Sequence, residues 1–337
     1  MTNFPHLMAP GQIGPLELRN RILMAPMGDV LCNDDGTVSD NQLAYFEARA
    51  RGGAALLLVG SVSVAYPAGS FHDRQVAASE DSYIKGLTEL AHRVHQHGGR
   101  IAAQLVHDGL SSLTDIAAGR PVLVPSPPPA VTPDRLSQMV TADEAAAMMS
   151  PFTQPTSRVD FHVADDGDLA WAIGRFADAA ARCQAAGFDG IELHAGHGYL
   201  LDNFLSPHTN HRDDGWGGDV IGRARLLCEV IEAVRDATGD ALPVWLRLNS
   251  VEHHRPDGET FDEQLEVIDL AVVAGAAAVH VSAYADPGVA TGITDAHTPH
   301  VVGELGARAG AVRRRIDVPV ITFGRYEPDE AERALAE

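Results

Sequence analysis

The chain has 337 residues, 45% of them hydrophobic and 21% charged, and a net charge of −21. This is the composition of a globular protein long enough for a large core. The negative balance argues against nucleic acid or an anionic membrane as a general partner, since both reward clustered Lys and Arg. No apolar run reaches the length of a membrane span. The opening Met1-Thr2-Asn3-Phe4-Pro5-His6 lacks the basic and apolar blocks of a signal peptide. Cys32, Cys183 and Cys228 are too far apart for a disulfide framework or a metal spacing. A cytoplasmic location is therefore expected.

In chain order, residues 10–18 carry Gly11, Gly14 and Pro15 between apolar residues and read as a short hairpin. Residues 21–25 are a first strand, stopped by Pro26. A helix follows over 41–51, closed by Gly52-Gly53, then a strand over 55–59 ending at Gly60. The next pair is a helix over 83–97, closed by Gly98-Gly99, and a strand over 101–105. Residues 111–168 break this rhythm. Pro127-Pro128-Pro129 and Pro133 make a stiff connector, and Thr141-Ala142-Asp143-Glu144 has the form of a helix start with a capping box. Residues 165–168 read as an acidic loop.

The alternation then resumes. Helices over 169–186, 223–237, 262–274 and 301–315 precede strands over 188–193, 244–248, 277–282 and 318–323, and a last helix begins at Pro328. Short strands alternating with longer helices imply βαβ units. Seven such units without a Gly-rich dinucleotide fingerprint favour an α/β fold of the (β/α)8 TIM-barrel type, read as one domain over 1–337. The eighth strand and helix are missing from this chain, so it reads as truncated at its C-terminus or as part of a longer protein.

Polar residues at strand ends mark the site, because ligands of parallel α/β folds bind there. His194, His197 and Tyr199 follow the fourth strand within six residues. A metal pair is disfavoured, since no third ligand follows at fixed spacing. Two imidazole N–H donors holding a substrate oxygen fit better, with Tyr199 as a proton carrier. Gln104 and Arg247 interrupt apolar strands and need partners there. For Arg247 an ion pair with a neighbour such as Glu192 competes with an anionic ligand. The remaining histidines read as solvent-facing. Gly324-Arg325 after the seventh strand lets backbone N–H groups approach a phosphate. Lys85 is the sole lysine and lies in a helix pattern, which all but excludes a Schiff-base barrel lyase.

Four stretches carry a family resemblance. They are Leu18-Arg19-Asn20-Arg21-Ile22-Leu23-Met24-Ala25-Pro26-Met27, Gln104-Leu105-Val106-His107-Asp108-Gly109, residues 192–207, and Asn210-His211-Arg212-Asp213-Asp214-Gly215-Trp216-Gly217-Gly218. Together they resemble the Old Yellow Enzyme family of FMN-dependent ene-reductases, which includes the barrel domain of 2,4-dienoyl-CoA reductases. The resemblance implies a flavoprotein that takes hydride from NADH or NADPH and passes it to an α,β-unsaturated carbonyl or enoyl substrate. It implies that Ala25, Pro26, Met27 and Gly60 line the FMN, Gln104 bonds its pyrimidine edge, Arg247 faces N1 and O2, and Gly324 and Arg325 hold its phosphate. His194 and His197 would bind the substrate oxygen, and Tyr199 would donate the proton. An iron–sulfur cluster is implied only if a C-terminal extension exists outside this chain. Gly28-Asp29 departs from the Thr or Cys that many relatives carry there. The competing reading is an incomplete, non-catalytic barrel subunit of a larger flavoprotein. Oligomeric state stays open, a homo-oligomer included.

Overall fold

The computed structural model describes residues 4–128, 159–253, 255–285 and 303–337. Pro129, Pro133 and the capping-box stretch at 141–144 lie outside the described residues. The N-terminal hairpin is present as β1 (Gly11–Ile13) and β2 (Leu16–Leu18), antiparallel. The main sheet comprises β3 (Leu23–Met24), β4 (Leu56–Ser63), β5 (Arg100–Val106), β8 (Gly190–Ala195), β9 (Val244–His253), β10 (Val279–Ala285) and β11 (Val320–Ile321). A small parallel pair, β6 (Val122–Val124) with β7 (Phe161–Val163), lies within the 111–168 connection. All seven main strands are parallel, in the spatial order β11-β10-β9-β8-β5-β4-β3.

Two apolar clusters show how the sheet curls. On one strand face Leu57, Val59, Ile101, Ala103, Ile191, Leu193, Leu246, Val279 and their neighbours pack with the surrounding helices. On the other, Leu56, Leu58, Ala102, Trp245 and Ala278 pack against the hairpin residues Ile13, Leu16 and Leu18. This is the period-two alternation of a strand buried on both faces. Leu23 of β3 and Ile321 of β11 both join the inner cluster, so the first and last strands wrap one interior that the hairpin floors. They do not pair with each other. Between them runs a groove of about 2270 Å³ lined by Leu23, Ala25, His280, Phe323, Gly324 and Arg325 among others. The sheet is thus an incomplete (β/α) barrel, and the eighth strand and helix are absent among the described residues.

Some boundaries shift. The first strand shrinks to Leu23–Met24 and the seventh to Val320–Ile321. Each sits at the open edge, where only one neighbour offers ladder bonds. Strands β4 and β9 run past their expected ends because both have neighbours on either side. The stretch 165–168 is not a loop. Asp165 caps the helix Asp166–Ala185 in a reciprocal box with Asp168. The motif 210–218 proves to be a structural clamp. Asn210 Nδ2 donates to the carbonyls of Phe204 and Trp216, and Arg212 donates to those of Pro125 and Ala164. Among the described residues no helix is long and apolar enough to cross a membrane.

Candidate active site

The inward positions just above the apolar floor are polar. Register pairs Gln104 with Glu192 and Glu192 with Trp245, while His194 pairs with Arg247 and Arg247 with His280. Two residues further along β9 and β10 come Asn249 and Ser282, themselves paired. All are buried. By register, Gln104, Glu192 and Trp245 share one level, His194, Arg247 and His280 the next, and Asn249 and Ser282 the one beyond.

Glu192 sits fully buried at the centre of the lower layer. Its Oε1 accepts from Gln104 Nε2 at 2.8 Å, and its Oε2 accepts from Trp245 Nε1 at 2.7 Å and His280 Nδ1 at 2.8 Å. Burial alone would raise its carboxyl, but the field and hydrogen bond of His280, the Arg247 charge and the Trp245 bond outweigh it and hold Glu192 below the usual range. The neighbouring His280 is pushed down by burial against the pull of the Glu192 charge, and its Nδ1 faces that carboxylate.

Arg247 forms no ion pair with the described residues, so the expected competitor at Glu192 is taken up elsewhere. Its guanidinium lies 4.4 Å from the Phe323 ring centroid, and Nη2 donates weakly to Ser282 Oγ at 3.5 Å. Arg247 Nε and His280 Nε2 are buried and have no hydrogen-bond partner among the described residues. Burial lowers the guanidinium to about 10, and the Glu192 charge partly offsets that, so Arg247 remains a cation at neutral pH. A buried cation with open donors is costly unless an acceptor-bearing ligand meets it.

Beside Arg247, His194, His197 and Tyr199 form one cluster. Ring centroids are 4.8 Å apart for His194–His197 and 4.7 Å for His194–Tyr199. Burial and the Arg247 charge push both imidazoles well below the usual histidine range, so both are neutral. Burial and the nearby Asp108 charge raise the Tyr199 phenol above its ordinary value, partly offset by Arg247, so it keeps its proton.

Local bonds explain why the chain can hold this shape. His197 adopts φ +64°, a left-handed conformation that costs a non-glycine residue about 1–3 kcal/mol. Its N–H donates to Asn249 Oδ1 at 3.2 Å, and its Nε2 bonds Ser282 Oγ at 2.6 Å. Asn249 Nδ2 donates to Asp202 Oδ1 at 2.8 Å and Glu259 Oε2 at 3.0 Å, and Asp202 Oδ2 accepts from Gly198 N–H at 2.7 Å. Gly196 is required because a Cβ there would meet Asn249 Oδ1 at 2.8 Å. Leu200 N–H donates to the His107 carbonyl, joining this loop to the end of β5.

The expected cofactor residues converge on the same end. Gly60 and Gly28 form a bridge between the ends of β4 and β3, and a Cβ on Gly60 would collide with Pro26. Pro26 is half-buried, while Ala25 and Met27 are exposed, Ala25 on the groove between β3 and β11. Phe323, edge-on to His280 at 5.5 Å, carries Gly324 and Arg325 directly after it. Gly324 accepts from Gly303 N–H at 3.0 Å, next to the N-terminus of the helix Glu304–Arg315, which no side chain caps.

Sequence reasoning missed several of these residues. Glu192 entered only as an ion-pair partner, and Asn249, Asp202, Ser282 and Asp108 were given no role. His280 and His107 were expected to face solvent, yet both are buried. A signal existed for Glu192 and His280, because each breaks an apolar strand just as Gln104 and Arg247 do.

The parallel sheet and this buried polar cluster at its strand ends define a ligand-binding (β/α) barrel. The chain belongs to the NADH:flavin oxidoreductase / NADH oxidase family, whose profile matches residues 6–337. It is 35% identical over 341 residues to an NADH oxidase of Thermoanaerobacter brockii, covering 100% of this chain and 48% of that protein. It is 32% identical over 277 residues to an NADPH dehydrogenase of Geobacillus thermodenitrificans, covering 82% of this chain and 72% of that one. The structure of the old yellow enzyme from Trypanosoma cruzi shares the fold, with a TM-score of 0.77 and 24% identity over 99% of this chain and 86% of that one. The chain spans about half the length of its longer curated relatives.

Proposed function

We propose that this chain acts as one FMN-binding domain that passes hydride from NADH or NADPH to the activated C=C bond of a small α,β-unsaturated carbonyl or enoyl substrate. The observation that carries the reading is the clustering of His194, His197 and Tyr199 at the strand ends that also carry Arg247 and Gln104, with His194 level with Arg247.

The residues present fit FMN, because the unpartnered Arg247 Nε and the charge of its guanidinium ask for electron-rich acceptors of the kind a flavin pyrimidine edge presents. Gln104 and Arg247 would hold that edge, and Ala25, Pro26, Met27 and Gly60 would lie along the ring. Gly324, Arg325 and the uncapped turn at Gly303 would hold the phosphate. When bound, FMN supplies the two-electron hydride chemistry that no side chain here can supply.

The remaining work falls to the chain. His194 and His197, both neutral, donate N–H bonds to the substrate oxygen and stabilise the negative charge that develops there, each worth a few kcal/mol of barrier. Tyr199, held protonated, delivers its proton to the α-carbon. The cation at Arg247 favours an anionic transition state over a positively charged substrate.

The test is anaerobic reoxidation of the NAD(P)H-reduced protein, followed at the flavin band near ~450 nm. Unsaturated carbonyl compounds should restore the band and their saturated counterparts should not. A reduced protein that no unsaturated compound reoxidises would overturn the reading.

A further inference from the structure

We infer that Glu192 is a positioning residue that fixes which end of the Gln104 amide faces the cofactor, and so makes the site an acceptor at 104 and a donor at 247. The inference rests on the FMN reading of the site and extends it to a residue that would not itself touch the flavin.

The argument is one of hydrogen-bond polarity. An ionised carboxylate only accepts. Glu192 is buried, is held ionised, and receives three donors, one each from β5, β9 and β10. The amide of Gln104 can satisfy it only by turning Nε2 inward. Gln104 Oε1 is then the end left for a ligand. A flavin pyrimidine edge presents one N–H donor, N3–H, between two carbonyl acceptors, so an oxygen at 104 and a guanidinium at 247 complement it. Turned the other way, the amide would set N–H against N–H.

A single substitution inverts this polarity without breaking the internal network. In Glu192→Gln, the new amide oxygen can accept from Trp245 and His280, while its nitrogen must donate toward residue 104. Gln104 then flips to offer its oxygen inward and its nitrogen to the ligand. Exchanging the two residues, Gln104→Glu with Glu192→Gln, satisfies every internal bond again and restores an oxygen at 104.

The experiment is titration of the apoprotein with FMN by fluorescence quenching, with the thermal melt of each apoprotein as a folding control. Glu192→Gln should weaken FMN binding by about 10–100-fold, the cost of a mismatched buried donor. The exchanged double variant should recover to within about tenfold of the parent. Unchanged affinity in Glu192→Gln overturns the inference, as does a folded double variant no tighter than the single one. If Glu192→Gln does not fold, the double variant alone decides: affinity within about tenfold of the parent supports the inference, and a larger loss overturns it. Gln104→Ala separates the two levels: if it leaves FMN affinity intact, the placement of FMN beside Gln104 fails. If it weakens FMN while Glu192→Gln does not, only the role of Glu192 fails.

Discussion

Replacing Asn249 with alanine should uncouple substrate binding from cofactor binding. The side chain accepts from His197 N–H and donates to Asp202 and Glu259, all in a buried setting. Its loss leaves one N–H without an acceptor and two carboxyl groups without a shared donor, about 1–3 kcal/mol each. A water entering the space left by the amide would recover part of this, so the net cost is about 3 kcal/mol. For a chain of 337 residues the unfolding entropy is about 0.7 kcal/mol/K, which converts that cost into a melting point about 4 °C lower. His197 is in a left-handed conformation that these bonds hold, so it should relax and loosen the oxygen-binding pair. Phenol-type ligands, which mimic a bound enolate, should bind about 10-fold more weakly, the counterpart of losing one aligned N–H donor. FMN affinity should change little, because Arg247 and Gln104 sit at lower levels of the sheet. Thermal melts and two spectroscopic titrations, phenol into holoprotein and FMN into apoprotein, check this. A variant that loses FMN and phenol affinity in equal measure would refute the layered arrangement, and so would an unchanged phenol titration.

Tyr199→Phe keeps the ring contact with His194 but removes the proton, so the oxidative half-reaction should slow about 10²–10⁴-fold while flavin reduction by NAD(P)H stays nearly intact. Equal losses in both stopped-flow half-reactions would contradict the proton-donor role. His194→Ala with His197→Ala should abolish phenol binding and leave the flavin in place, and an unchanged titration would count against the oxygen-holding role. Arg247→Met should cost about 100-fold in FMN affinity, since a charged hydrogen-bond donor to a buried ligand is worth about 1.5–3 kcal/mol per bond. A variant that purifies with full flavin content would speak against it. Stability should fall between pH 6.5 and 8. Burial raises the folded carboxyls of Asp108 to about 7 and Asp202 to about 8, so the folded state holds protons that the unfolded chain has released. Their contribution is complete below the ordinary carboxylate range and is lost as pH rises through those two values. Asp108→Asn should flatten the slope below pH 7, and melting curves that rise across this window would refute the assignment.

Much of this protein can be read from its residue order. The alternation of short apolar runs with amphipathic segments implies a parallel sheet wrapped by helices, because strands buried on both faces and helices buried on one leave different periods in the chain. The count of seven strand-and-helix repeats was legible for the same reason, and seven parallel strands form the main sheet among the described residues. Gln104, Arg247, His194, His197 and Tyr199 stood out because a polar side chain in an apolar strand, or just beyond it, must find a partner. Other features depended on distances between strands far apart in sequence. Glu192 was legible as an anion but not as the common acceptor of Gln104, Trp245 and His280, since three other segments supply or orient those donors. Nor could the sequence say that Glu192 is committed elsewhere, which leaves Arg247 without a carboxylate. Asn249, Asp202 and Glu259 looked like ordinary polar residues until the β9 end and the 196–202 turn met in space. Residue order sets the period of burial, and hence the layers. Register between strands sets which buried donor meets which acceptor, and only the folded sheet determines that.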